Sequence, residues 1–159
     1  MNEAFVLDEE LKNRLTALTN DYSTKLAALL PALNIIQDKF GFIPPEAEQQ
    51  IAELLDIFPT QVREVTTFYS LFYNAPVGHH KIYVCYNLSC CIEGGGKLLH
   101  YLAKKLRVSV NETTRDGKFS LYRTPCTGAC EKAPVIIVNG AYHYNVTPEY
   151  IDELLTKLG

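Results

Sequence analysis

Four cysteines in two close pairs are the residues of this chain best suited to chemistry: Cys85-Tyr-Asn-Leu-Ser-Cys90 and Cys126-Thr-Gly-Ala-Cys130, with 35 residues between the pairs. Where glutathione and thioredoxin keep thiols reduced, such pairs hold a metal more often than a disulfide. Reduced thiolates are soft ligands that favour zinc, copper(I) or iron-sulfur clusters. Spacing alone leaves the metal open, because a tetrathiolate zinc site and a two-iron cluster both accept it. A thiol-disulfide oxidoreductase is the weakest alternative, since neither pair is Cys-x-x-Cys.

The elements that position these thiols fall into two parts. Upstream, Leu26, Leu30, Leu33, Ile36 and Phe40 recur at helical spacing and end at Gly41, and Pro31 predicts a kink or break among them. A second helix should open after Pro44-Pro45, with Glu46 in its first turn and Ile51, Leu54 and Leu55 inward. A third should follow Pro59-Thr60, with Val62, Val65, Phe68, Tyr69 and Phe72 on its apolar side. These make a small helical bundle over residues 1–78. Asn74-Ala-Pro76-Val-Gly78 reads as the linker.

Residues 79–159 read as mixed α/β, so the chain as a whole is expected to be α+β. The predicted order is a strand at 81–84, a helix at 95–107, a strand at 119–123, strands at 135–138 and 141–144 around Asn139-Gly140, and a last helix from Thr147-Pro148. Asn-Gly is a strong two-residue hairpin signal because both positions tolerate positive φ. Strand, helix, strand, strand, strand, helix is a thioredoxin-like order, its first crossover right-handed. Cys85 then ends the first strand, Cys90 precedes the helix, and Cys126 and Cys130 follow the second strand, so both pairs converge at one end of the sheet. The helix start near Gly94 would aim free N–H groups at that place. Gly94-Gly95-Gly96 and Gly128 would let backbone approach sulfur, unless they merely make turns.

Composition sets the limits. At 159 residues and 47% hydrophobic content, the chain can bury a core without cysteine staples. A net charge of −3 with no long basic run argues against nucleic acid. The acidic first ten residues carry no signal-peptide pattern, and no apolar run is long enough for direct membrane insertion. The expected location is the cytoplasm, or the cytoplasmic face of the inner membrane as part of a complex. His79, His80, His100 and His143 lack metal-site spacing, Gly94-Gly-Gly-Lys97 is not a phosphate loop, and no Gly-x-Gly-x-x-Gly follows a strand. Cys91 reads as a small buried filler. The aromatic run Phe68, Tyr69, Phe72 and Tyr73 reads as core, part of which could face a partner.

Several runs together resemble one family: Gln37-Asp-Lys-Phe-Gly-Phe-Ile-Pro-Pro-Glu46, Val65-Thr-Thr-Phe-Tyr-Ser-Leu-Phe72, Pro76-Val-Gly-His79, Cys85-x4-Cys90, Asp116-Gly-Lys-Phe119, Cys126-x-Gly-Ala-Cys130-x-x-Ala-Pro134 and Val146-Thr-Pro148. They look like the thioredoxin-like 2Fe-2S subunit of respiratory complex I, the E-subunit family of NADH-quinone oxidoreductases. Related subunits occur in NAD-linked hydrogenases and formate dehydrogenases. The resemblance covers roughly residues 25–159 and implies a 2Fe-2S cluster ligated by Cys85, Cys90, Cys126 and Cys130. It implies one-electron transfer within an NADH dehydrogenase complex, with no catalytic residue in this chain. It also implies a flavoprotein partner subunit that carries FMN and binds NADH, alongside other subunits of a larger redox complex. The zinc-stabilised interaction module is the competing class. Pro125, before the third cysteine, departs from the family pattern and bears only on loop shape.

Overall fold

The computed structural model describes residues 6–159, which form two compact units, one ending at Pro76 and the other beginning at Val77.

The first unit is helical. Helix α1 (Glu9–Thr19) is started by Asp8, whose carboxylate accepts the Leu11 N–H at 2.8 Å, and it buries Leu11 and Leu15. This helix was not expected, because only two of its eleven residues are fully covered and the apolar periodicity is thin. A short 3₁₀ turn (Leu26–Ala28) leads into α2 (Leu29–Phe40), which buries Leu29, Ala32, Leu33 and Ile36 and ends at Gly41 with φ +80°. The predicted run from Leu26 is broken between the 3₁₀ turn and α2, and Pro31 lies in the first turn of α2, where a missing N–H costs no intrahelical bond. Helix α3 (Pro45–Leu55) has Pro at its first position and Glu46 in its first turn, as expected. Helix α4 (Pro59–Phe68) begins with Gln61 reaching back to the Phe58 N–H at 3.0 Å.

The apolar face read onto the third predicted helix needs correction. Val62 is buried and Val65 partly so, but the helix stops at Phe68, which is 80% exposed, and Tyr69 is 38% exposed. Phe72 is buried, yet from an irregular segment. That segment is held by side chains: Gln37 donates to the Leu71 carbonyl at 2.8 Å and accepts the Tyr73 N–H at 2.7 Å, and Asn74 donates to the Thr66 carbonyl at 3.0 Å. Beneath it, the buried Glu48 carboxylate accepts from Thr66 Oγ1 at 2.6 Å and from the Arg63 guanidinium at 3.1 Å.

The second unit is a five-stranded sheet in the order β2-β3-β1-β4-β5 with helices packed against it. Its elements are β1 (His80–Cys85), α5 (Leu88–Ile92), α6 (Gly95–Leu106), β2 (Glu112–Thr113), β3 (Phe119–Thr124), a 3₁₀ turn (Cys130–Lys132), β4 (Ile136–Val138), β5 (Ala141–His143) and α7 (Pro148–Leu158). Strands β1 and β3 run parallel, Ile82 opposite Leu121 and Cys85 opposite Thr124, and the other pairs are antiparallel. Alternate residues Ile82, Val84, Leu121, Ile136 and Val138 join Leu98 and Leu102 of α6 and Ile151 of α7 in one core. On the opposite parity, Tyr83 and Tyr122 stack with ring centroids 4.9 Å apart.

Asn139 (φ +50°) and Gly140 (φ +84°) make the expected hairpin between β4 and β5, and Thr147 caps α7 through the Tyr150 N–H at 3.2 Å. The α+β class is as expected, and within this second unit two elements were missed. Helix α5 spans only five residues, too few to show a helical period, and β2 is a two-residue strand defined by its pairing with β3.

Candidate metal centre

Strand β1 delivers Cys85 to its C-terminal end, where the Tyr86 N–H bonds the Thr124 carbonyl at 2.9 Å across the parallel pair. Because Thr124 ends β3, the loop holding Cys126 begins beside Cys85. The parallel register thus joins the two thiol pairs. Cys90 precedes α6 as expected, but it does so from within the short helix α5, with Asn87 capping that turn through the Leu88 N–H.

Val135 ties the inner pair together. Its carbonyl accepts the Cys85 N–H at 3.0 Å, and its main chain hydrogen-bonds the Cys90 sulfur. Cys85, Cys90 and Val135 form a small buried cluster, flanked by the partly covered Ala129 and Ala133. The outer pair is exposed: the Cys126 and Cys130 Sγ atoms are 3.4 Å apart, and the Gly128 N–H donates to Cys126 Sγ at 3.4 Å. All five cysteines are free.

The protonation of these thiols follows their surroundings. Burial, reinforced by the hydrogen bond with Cys85, pushes the Cys90 thiol up to about 11. The Gly128 N–H, with Cys130 as second donor, holds Cys126 below the ordinary thiol range. The hydrogen bond Cys130 gives to Cys126 keeps its own proton on and raises it, and the Ser89 hydroxyl pulls the other way. Weaker influences cross between the pairs: Cys130 raises Cys90 slightly, and Cys85 does the same to Cys130.

The glycines divide their work. Gly128, at φ +78°, is the one seen donating to sulfur. Gly94 (φ +97°) makes the turn into α6 and gives its N–H to the Cys91 carbonyl at 3.2 Å, while Gly95 packs against the carbonyls of Cys85 and Cys90. The expected approach of the 94–96 backbone to sulfur is therefore an approach to the main chain of the cysteines. Cys91 is half-buried, not the buried filler expected, and its N–H bonds the Asn87 carbonyl at 2.8 Å. Sequence reasoning missed Val135, Ser89 and the apolar exposed residues beside the site, Tyr86, Leu88 and Ile92. Only Val135 had a local signal, as the start of an apolar run after Pro134.

Among the described residues, no group of three or more His, Cys, Asp and Glu side chains could by itself hold a metal ion as placed, and no helix is long and apolar enough to cross a membrane. The donors come as two pairs of thiols.

A thioredoxin-like sheet with paired thiols at the end of its parallel strands defines a class, and the chain belongs to it: the family model for the thioredoxin-like [2Fe-2S] ferredoxins matches residues 15–159. Membership makes the chain an electron carrier with a 2Fe-2S cluster as cofactor. The chain is 37% identical over 155 residues to the E subunit of the NADH-quinone oxidoreductase of Escherichia coli (strain K12), covering 98% of this chain and 93% of that one. It is 36% identical over 145 residues to the E 2 subunit of the NADH-quinone oxidoreductase of Rhizobium meliloti (strain 1021), covering 91% and 86%. Its fold is also similar to part of an NAD+-reducing [NiFe]-hydrogenase in the H2-reduced state, with a TM-score of 0.71 at 21% identity over 82% of this chain. The chain spans 22% of that hydrogenase chain, and the likeness shows the fold alone.

Proposed function

We propose that this chain is the subunit of an NADH-quinone oxidoreductase that exchanges single electrons with the FMN of an NADH-oxidising flavoprotein subunit. Cys85, Cys90, Cys126 and Cys130 would hold the cluster, within residues 79–159. The observation that carries this reading is the grouping of four free thiols into an inner buried pair and an adjoining exposed pair. A two-iron cluster takes two cysteines on each iron, so it needs no point where three protein donors meet. The paired donors fit that requirement.

Bound there, such a cluster would accept and release one electron at a time, at a potential near about −400 mV for the four-cysteine plant-type class, within reach of a reduced flavin. The chain supplies the setting. Val135 and the packing of Ala129 and Ala133 exclude water from the inner sulfurs, and the Gly128 N–H stabilises negative charge on Cys126. The exposed outer thiols, with Tyr86 at 49%, Leu88 at 73% and Ile92 at 72% exposure nearby, allow a partner's cofactor to approach closely. The partner would dock on these loops and on the helical extension, residues 1–78, placing the assembly on the cytoplasmic face of a membrane through other subunits.

The test is anaerobic mixing. The purified chain should be reduced by dithionite and stay oxidised with NADH, and adding the flavoprotein subunit should let NADH produce the reduced-cluster electron paramagnetic resonance signal. Reduction by NADH alone would disprove the division of labour. A colourless chain with bound zinc, forming a complex that passes no electrons, would establish an interaction module instead.

A further inference from the structure

The two thiol pairs differ in what can reach them. Cys85 and Cys90 are 1% and 2% exposed, so a dissolved oxidant finds no path to their sulfurs. Cys126 and Cys130 are open to solvent, with their sulfurs 3.4 Å apart. A disulfide needs about 2.0 Å, so the outer sulfurs must close by about 1.4 Å from their 3.4 Å separation. No regular secondary structure opposes that closure within the intervening loop. Residues 125–129 belong to no helix or strand, and Gly128 has nothing within 4 Å of where a Cβ would stand.

We propose that, before the cluster is inserted, Cys126 and Cys130 form a reversible disulfide with each other on exposure to a small oxidised thiol, and that the closed pair no longer accepts iron. This rests on the reading of these residues as ligands and adds a covalent modification to them. The Cys126 thiolate attacks one sulfur of a low-molecular-weight disulfide, forming a mixed disulfide and releasing one small thiolate. The Cys130 thiolate then attacks the Cys126 sulfur, forming the intramolecular bond and releasing the second small thiol. Two protein thiols lose two protons and two electrons, and the small disulfide gains both. Neither outer sulfur is then a thiolate, the form that binds metal. The buried inner pair keeps its thiols, so a thiol reductant restores the complete set of four.

The experiment uses the full chain, stripped of metal under reductant, desalted anaerobically and incubated with glutathione disulfide. Alkylation, digestion and mass spectrometry locate the modified cysteines, and ferrous iron with sulfide is then offered before and after dithiothreitol while visible absorbance is followed. We expect loss of two hydrogens in the peptide containing Cys126 and Cys130, alkylation of Cys85 and Cys90 only after unfolding, and loss of iron uptake that dithiothreitol reverses. Outer thiols that stay open to alkylation, stable glutathione adducts on them, or oxidised chain that loads as readily as reduced chain would overturn the proposal. Reduced chain that forms the disulfide on oxidation but never takes up iron and sulfide would overturn the electron-carrier reading, and the loading half of this proposal with it. Reduced chain that loads normally yet forms no disulfide would overturn this proposal alone.

Discussion

Gly95 and Cys90 meet main chain to main chain: a Cβ on Gly95 would stand 2.7 Å from the Cys90 carbonyl oxygen and 3.0 Å from that of Cys85. Both obstacles are backbone, so no side-chain rotation relieves them. Gly95→Ala must push α6 away from the cysteine segment, at a cost of about 1–3 kcal/mol typical of overpacking. Chemical denaturation of the purified variant should show that loss, and its iron content should fall below that of the parent. A variant as stable and as fully loaded would mean that the contact is not tight in solution.

Each of Cys85→Ser, Cys90→Ser, Cys126→Ser and Cys130→Ser should lower iron content or shift the visible and paramagnetic resonance spectra, because a thiolate bond to iron is replaced by a harder oxygen donor. Cys91→Ser should leave both spectra unchanged and cost less than about 1 kcal/mol, as expected for a half-buried position away from a network. A Cys91 variant that loses iron while one of the other four keeps a normal spectrum would overturn the ligand assignment.

In the helical unit, Thr66→Val removes the 2.6 Å hydrogen bond to the Glu48 carboxylate. Leaving that buried oxygen short of a donor should cost about 1–3 kcal/mol. Arg63, itself half exposed, remains as the second donor and limits the damage. Urea unfolding followed by circular dichroism reads the change, and a neutral result would show that water replaces the hydroxyl.

Asp152 joins α7 to α6 by accepting from the Tyr101 hydroxyl at 2.7 Å and pairing with Lys105 at 2.9 Å. The Tyr101 hydrogen bond, then Lys105, hold the Asp152 carboxyl below its ordinary value, so its stabilising effect is present above the carboxylate range and is lost as pH falls through the folded value. The hydrogen bonds to Asp152 raise both Tyr101 and Lys105, so their contribution is present below about pH 10 and is lost as pH rises through the folded values. Asp152→Asn should therefore be less stable than the parent near neutrality, with the two stability curves converging in acid and in strong alkali. Parallel curves across the whole range would show that these groups are not coupled to folding.

How much of this was legible follows from the length over which each feature is written. Helices α2, α3, α6 and α7 and the Asn139-Gly140 hairpin carry their signals within a dozen residues, as periodicity, proline at the start, or glycine at the turn. The convergence of the cysteines was readable because strand order fixes which loops share a sheet end. Exposure of Phe68 was not, since whether an apolar residue is covered depends on where its helix stops, and Asn74 and Gln37 decide the path beyond α4 through bonds across 8 and 34 positions. Val135 was legible as the start of an apolar run but not as a partner of the cysteines, because that role belongs to its main chain and any residue type shows the same amide and carbonyl in a sequence.

The parallel pairing of β1 with β3 bears on when the site comes into being during folding. Parallel strands need a crossover, and here α5, α6 and β2 all lie between them, so Cys126 cannot meet Cys85 until that long loop has closed. Short-range contacts such as Asn87 with Leu88, or Gly128 with Cys126, can form early, but the meeting of the two thiol pairs at one sheet end is a late product of topology. A nascent chain therefore presents two separate dithiols, and only the docking of β3 brings them to the same end of the sheet. Metal capture by the complete set would follow the docking of β3 and then hold it in place, tying lifetime of the folded sheet to occupancy of its end.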